Sequence, residues 1–272
     1  MRRLMNIAPQ RGSRWLLALL PFLLLAMIYA VASADRRAAN PGDKVLPPVS
    51  AMVDAVQRAL QPDRRSGERV FWSDTAISLK RLGVGLGVSV AIGLAFGLAI
   101  GLLPVVGATF SPLMAVLSMV PPMAILPILF IAFGLDELSK VVLIVIGVAP
   151  ALVRDLALKV GQLPTEQLIK AQTLGASTWQ VMLRVALPQA MPRLIESLRL
   201  MLGPAFLFLI SAEAISADAG LGYRIFLVRR YLAMDTILPY VAWITLLAYL
   251  ADVALVQLSK RAFPWAHLER RA

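Results

Sequence analysis

Six stretches of this chain, residues 15–34, 82–103, 113–133, 141–153, 200–217 and 236–259, are almost continuously apolar. A helix needs about 20 such residues to cross a bilayer, and no soluble core needs so many runs of that length. The spacing predicts an all-α membrane protein with six transmembrane helices. Composition agrees: 59% of the 272 residues are hydrophobic, against roughly 45–50% in soluble domains. The formal net charge is +11 although only 16% of residues are charged. In so apolar a chain the basic excess reads as cytoplasmic loops facing anionic headgroups. Few aromatics accompany the basic residues, so nucleic-acid binding is not expected. There is no cysteine, hence no disulfide, thiol nucleophile or thiolate metal site. The one histidine, His267, lies near the C-terminus and is assigned no role. No catalytic or metal-binding residue is expected.

The pattern divides into a tail with a first span (1–34), an outer loop with a short helix (35–76), a core of five spans (77–265) and a short tail (266–272). The first span ends in Ala32-Ser33-Ala34, as a signal peptide does, but its apolar run exceeds a signal core and favours a retained helix. In the outer loop, Met52, Val53, Val56, Ala59 and Leu60 share one helical face. In the second span Gly83 and Gly87, then Gly93, Gly97 and Gly101, recur every four residues. Small residues at that spacing admit a close neighbouring helix. Pro121, Pro122 and Pro127 predict a kink in the third span. The fourth run is short, with Lys140 and Arg154 placed to snorkel at its ends. No repeat relates the two halves. Basic residues place both termini and the segment 154–199 in the cytoplasm.

That inner segment contains "AQTLGASTWQVMLRVALPQAMP". One helix starts after Pro164 with Thr165 as N-cap, and Gly175 ends it by taking positive φ. Ser177 and Gln180 form a capping box for a second helix. In that helix Trp179, Met182, Leu183 and Ala186 make an apolar face, and Pro188 is its stop. By itself this hairpin fits either a helix lying on lipid or a docking element for a soluble partner.

The stretch "IKAQTLGASTWQVMLRVALP" resembles the cytoplasmic motif of ABC importer permeases: Glu-Ala-Ala, three residues, Gly, nine residues, Ile-x-Leu-Pro. Ala171, Gly175, Val185, Leu187 and Pro188 match at identical spacing; Ile169 and Lys170 replace the Glu and the first Ala. The stretches "PPMAILPILFIAFGLDELSK", "LPQAMPRLIESLRL", "AEAISADAGLGY" and "FPWA" are similar to the nitrate/taurine/sulfonate branch, over about residues 72–265. The resemblance implies a type I importer permease fold with a coupling segment at 155–190. It implies a second permease copy, two cytoplasmic P-loop ATPase subunits and a periplasmic substrate-binding protein. ATP and Mg would be bound by the ATPase, so this chain holds no cofactor; it also lacks a GxxxxGK[ST] loop. ATPase docking falls to Ala171, Gly175, Ala176, Ser177, Trp179, Val185, Leu187 and Pro188.

Glu213 is a costly charge within the fifth span. With Ser211, Pro121 and Pro122 it is a pathway or gate candidate; its alternative is a structural hydrogen bond. Asp252 reads as a partner for a basic residue or as a local cap. Arg224, Arg229 and Arg230 lie in an outer loop whose turn Gly220 and Gly222 permit, and are candidates for contact with the binding protein. "RRYLAMDTILPYVAWITLLAY" resembles permeases grouped with urea-carboxylase systems, so urea- or guanidine-type compounds join nitrate and sulfonates as solutes. The rival to an importer subunit is a self-sufficient secondary transporter or channel.

Overall fold

A computed structural model describes residues 11–40, 42–62 and 67–267. Among them every regular element is helical: α1 (Arg11–Ala39), α2 (Val49–Leu60), α3 (Val70–Leu102), α4 (Pro104–Leu117), α5 (Leu126–Phe133), α6 (Glu137–Gly161), α7 (Thr165–Thr173), α8 (Thr178–Val181), α9 (Leu187–Ser216), α10 (Leu221–Arg229) and α11 (Met234–Ala262). Five helices are long and apolar enough to cross a membrane, and a bent pair makes the sixth span. These elements fall into two compact units.

The first unit holds α1, α2 and residues Val228–Pro239. The Tyr29 hydroxyl donates to Pro47 O at 2.6 Å, and Ser33 Oγ donates to Leu46 O at 2.9 Å, tying α1 to the chain before α2. A hydrogen bond from Arg36 holds the Asp43 carboxyl below the usual carboxylate range. On α2 the buried side chain is Ala55, and Val53, Val56 and Leu60 of the expected apolar face are exposed.

The second unit is organised around α3 and α6. A Cβ on Gly85, Gly93, Gly97 or Gly101 would come within 2.8, 3.1, 2.7 and 2.6 Å of Ile144, Leu152, Leu156 and Val160 respectively. Ser89, fully buried, continues this stripe between Gly85 and Gly93. Small residues every four positions thus receive large ones every four positions. The expected register is corrected here: Gly83 and Gly87 face open space, and Gly85 and Ser89 take their place. Partner numbers on the two helices rise together, so α3 and α6 run parallel.

Parallel neighbours require a return crossing between them. α6 begins beside Arg81, which bonds Glu137, whereas α3 ends at Leu102. The intervening chain climbs back over about 30 Å of α3. It does so as α4, a 3-10 turn (Pro122–Ile125) and α5, bent by 81° at the break. The single kinked span expected at 113–133 is therefore a broken one that begins at Pro104. Pro121 and Pro122 remove two consecutive donors, and Pro121 is extended. The freed ends are met locally: Ser118 N donates to Met114 O and Ala124 N to Pro121 O.

α9 returns antiparallel to α6, with Phe208 against Gly147 and Arg193 at 2.5 Å from Asp155. α11 joins it through Arg199 and Asp252, 2.7 Å apart, so that aspartate pairs with a basic residue. At one end Phe71, Trp72, Tyr240 and Trp243 stack edge to face or tilted, with centroids 5.3–5.7 Å apart.

Three local expectations are overturned. Lys140 does not snorkel: it is 3% exposed and donates to Leu135 O and Asp136 O, because α6 starts a turn before it, at Glu137. Thr165 is the first helical residue of α7, and no side chain caps that end. Pro188 stops nothing. A π-turn (Met182–Ala186) precedes it, and the chain stays helical from Thr178 to Ser216 with Pro188 as the second residue of α9.

The α3–α6 stripe makes a direct prediction. Gly97→Leu drives atoms into Leu156 and should cost about 1–3 kcal/mol by overpacking, whereas Gly83→Leu projects into open space. Thermal unfolding in detergent should show a lower Tm for the first variant and little change for the second.

Candidate functional site

Two constellations stand at opposite ends of the second unit. At the end where α6 begins, α3 presents Asp74, Ser78 and Arg81 at helical spacing, all buried. Glu213 of α9 is 0% exposed and sits against them. The Ser78 hydroxyl lies 2.7 Å from Glu213 Oε1 and 2.9 Å from Oε2; Arg81 Nη1 donates to Oε1 at 2.8 Å. Arg81 also bonds Glu137 through Nε and Nη2 at 2.6 and 2.5 Å, and Ala219 O at 2.8 Å.

The chain leaving α9 folds back onto this cluster. Gly220 N donates to Asp74 Oδ1 and Gly222 N to Glu213 Oε2, each at 2.8 Å; Leu221 N donates to Ser78 Oγ at 2.9 Å. Gly220 has φ +128, and a Cβ there would meet the Glu213 carboxylate at 2.6 Å. A Cβ on Gly222 would meet Ile210 O at 2.5 Å. Glycine is required at both by close approach, and at Gly220 also by the backbone. Arg224 Nε completes the group on Asp74 Oδ2 at 2.9 Å. Three carboxylates (Asp74, Glu137, Glu213) meet three cations (Arg81, Lys140, Arg224), and among the described residues no buried side-chain polar atom lacks a partner. A network so balanced and buried around Asp74, Ser78, Arg81 and Glu213 acts as a clamp: removing a buried member leaves its partners short of a bond.

Of the outer candidates, Glu213 and Arg224 are brought together in this network through Asp74 and Ser78. Ser211 is half-buried on α9; Arg229 and Arg230 are exposed. Pro121 and Pro122 lie at the break between α4 and α5. Sequence reasoning missed Asp74, Ser78, Arg81 and Glu137. The available signal was their spacing in "DTAISLKR", which puts three polar side chains on one helical face.

At the other end is the hairpin. α7 closes on Gly175 with φ +81, and Ala176 N donates to Ala171 O at 3.0 Å. The capping box is formed: Gln180 N donates to Ser177 Oγ at 3.3 Å, and Ser177 N to Gln180 Oε1 at 2.8 Å. The apolar face expected of α8 divides in two. Val181, Met182 and Ala186 are buried against the bundle, while Trp179 (64% exposed) and Leu183 face outward. Trp179, Leu174 (80%) and Ile169 (54%) stand exposed on a hairpin that has no buried position from 165 to 180. Ala171, Ala176, Val185 and Leu187 are half-buried, Ser177 and Pro188 exposed. Gln189 Nε2 donates to Gln167 Oε1 at 3.1 Å and fixes the hairpin to the start of α9.

The network predicts graded losses. Glu213→Ala removes the acceptor of one Arg81 bond, the Ser78 hydroxyl and the Gly222 amide in a buried site and should cost about 3–5 kcal/mol; Glu213→Gln retains acceptor and shape and should lose less. Chemical unfolding in detergent, monitored by tryptophan fluorescence, should rank them in that order.

Comparison with known proteins gives a consistent set of likenesses. Residues 87–264 match the family model of the binding-protein-dependent transport system inner membrane component. The taurine transport system permease protein TauC of Escherichia coli (strain K12) is 34% identical over 199 residues, 73% of this chain and 72% of its own. The putative aliphatic sulfonates transport permease protein SsuC of the same organism is 31% identical over 252 residues, 93% of this chain and 94% of its own. The nitrate import permease protein NrtB of Synechococcus elongatus is 29% identical over 149 residues, 55% and 53% of the two chains. Among solved structures, a chain of the inward-facing MetNI methionine ABC transporter matches with a TM-score of 0.63 at 19% identity, covering 71% of this chain and 96% of that one. An amino acid ABC transporter matches with a TM-score of 0.59 at 15% identity, covering 77% and 98%.

Proposed function

Because the chain belongs to the family of inner membrane components of binding-protein-dependent transport systems, we propose that two copies of it form the pathway of an ATP-driven importer for a small oxyanion. The protein is a multi-pass membrane permease subunit of an ABC importer and not an enzyme; ATP hydrolysis belongs to a separate subunit. In this reading a periplasmic binding protein delivers the solute at the Glu213 end, and Arg224, Arg229 and Arg230 are its candidate contacts. Two P-loop ATPase subunits dock on the α7–α8 hairpins inside, and both termini are cytoplasmic. The solute class follows the relatives, whose names give taurine, aliphatic sulfonates and nitrate. These share a compact, delocalised anionic group. A urea- or guanidine-type compound is the competing solute.

The observation that carries the docking assignment is the exposed hairpin. Gly175 turns it with positive φ, and Trp179, Leu174 and Ile169 stand outward on a segment held at its base by the capping box and Gln189. Exposed aromatic anchors on a rigid frame are what a partner groove takes up. At the other end the Glu213 network is read as a gate latch, closing the 217–222 segment over α3. Pro121 and Pro122 give the broken span along the pathway.

Co-purification from native membranes tests the docking. The wild-type chain should bring a P-loop ATPase with it. At Gly175 a Cβ meets nothing within 4 Å, so Gly175→Arg should insert normally, strain the positive-φ turn by roughly 1–2 kcal/mol and place a cation in the docking face. The ATPase should then be lost, and Trp179→Ala should weaken its retention at least about tenfold. A chain that purifies alone and moves solute in liposomes without ATP would instead be a secondary transporter.

A further inference from the structure

α2 carries two apolar faces, where a helix resting on a protein core needs one. One is turned inward: Ala55 is buried, with Met52 and Ala59 half-buried beside it. The other is uncovered. Val49, Val53, Val56 and Leu60 recur at i, i+4, i+7 and i+11, which confines them to an arc of about 60°. All four are exposed, from 37% at Val56 to 62% at Val49. Ser50, Asp54, Gln57 and Arg58 make the third side of the helix and are exposed as well. Water suits that polar side; it does not suit a stripe of four aliphatic side chains.

The tethers of α2 say what covers the stripe. Its N-terminal end is tied to the end of a span. Ser33 Oγ donates to Leu46 O at 2.9 Å and the Tyr29 hydroxyl to Pro47 O at 2.6 Å, and α2 starts just beyond, at Val49. Ser33 is the second-last residue of the apolar run 15–34, and Asp35, Arg36 and Arg37 follow that run. The C-terminal end of α2 is tied to the start of another span. Arg58 Nη2 lies 3.3 Å from Asp235 Oδ2, and Asp235 directly precedes the apolar run 236–259. All these residues belong to the first unit. Both tethers sit where an apolar run meets charged residues, the level at which hydrocarbon gives way to headgroups, and a tyrosine suits that level. The 12 residues of α2 measure about 18 Å. Held at that level at both ends, the helix lies along the membrane boundary rather than rising from it.

We propose that α2 is a lipid-binding interfacial helix, its stripe of Val49, Val53, Val56 and Leu60 seated in the headgroup–acyl boundary of the leaflet where α1 ends and α11 begins. An apolar helix face enters that boundary by about 5–10 Å. The polar side then meets water and the inward side the rest of the chain, so each of the three sides has the surroundings its chemistry fits. α1 buries almost none of its apolar surface within the chain; α2, bonded to its end, supplies a second membrane contact that fixes its depth. The inference needs only that α1 and α11 cross the membrane, and it stands apart from the importer reading, in which this leaflet is the periplasmic one.

The chain has no cysteine, so single-cysteine variants report single positions with no other change. Val53→Cys and Val56→Cys sample the stripe; Asp54→Cys and Gln57→Cys sample the polar side. All four side chains are exposed, and a single symmetric peak in size-exclusion chromatography shows that each variant is folded. Each is labelled with the fluorophore NBD, and the full chain is reconstituted in phosphatidylcholine liposomes. Phosphatidylcholine carrying a nitroxide near the headgroup end of its acyl chain should quench positions 53 and 56 several-fold more strongly than 54 and 57. Iodide, present on both sides of the bilayer, should quench in the reverse order. Equal iodide quenching at all four positions, with no preference from the nitroxide lipid, puts the stripe in water and overturns the proposal. Protection of 53 and 56 from both quenchers makes the cover protein, a second copy or another part of the chain, and overturns it too. Protection from iodide that arises only when the periplasmic binding protein is added gives the stripe to that partner instead of lipid.

Discussion

The close parallel contact of α3 with α6 decides the rest of the second unit. Large side chains of α6 occupy the places where Gly85, Gly93, Gly97 and Gly101 have no Cβ. Dispersion over many such contacts requires the backbones to approach this closely, and only small residues allow it. Because the contact is parallel, the chain between the helices has to cross back. The segment that does so carries two adjacent prolines, so it crosses as a broken span. The break leaves an elbow rather than a continuous wall, and Arg154 reaches it from α6.

The same contact separates the two constellations. α6 starts in the charge network around Glu137 and ends next to the hairpin. α9 then runs back from the hairpin's π-turn to Glu213, about 45 Å at 1.5 Å per residue. One helix therefore has the exposed hairpin at its start and the buried latch at its end. A rigid element held at both ends is the arrangement by which a displacement at one surface becomes a displacement at the other. The energetics of the ends differ. The network at the Glu213 end is neutral in sum and buried around Asp74, Ser78, Arg81 and Glu213, with Glu137 at its exposed edge; the hairpin is exposed, with its apolar side chains unburied.

Much of this was legible in the residues. Six spans, the turn at Gly175, the Ser177–Gln180 capping box and the importance of a glycine stripe all follow from periods and local chemistry. These features depend on neighbours within a turn or on hydrophobicity summed along a helix. The glycine register escaped because Gly83, Gly85 and Gly87 are equally plausible on an isolated helix; the face turned to α6 is chosen by α6. Pro188 misled for a related reason: a proline that ends a helix and one in the first turn of the next have the same local sequence, and the π-turn before it is a packing outcome.

The sequence by itself determined that the chain crosses a membrane in helices, where its breakers fall and that a polar hairpin interrupts the apolar runs. Hydrophobicity and backbone restriction are properties of single residues and short windows, so they survive without a fold. Only the tertiary structure decided that Asp74, Ser78, Arg81, Glu137 and Glu213 form one network, and that the Val49, Val53, Val56 and Leu60 stripe of α2 is left uncovered. A charge inside a membrane helix is costly until its partner is known, and the partners here come from other helices, more than fifty residues away for Arg81 and Glu137.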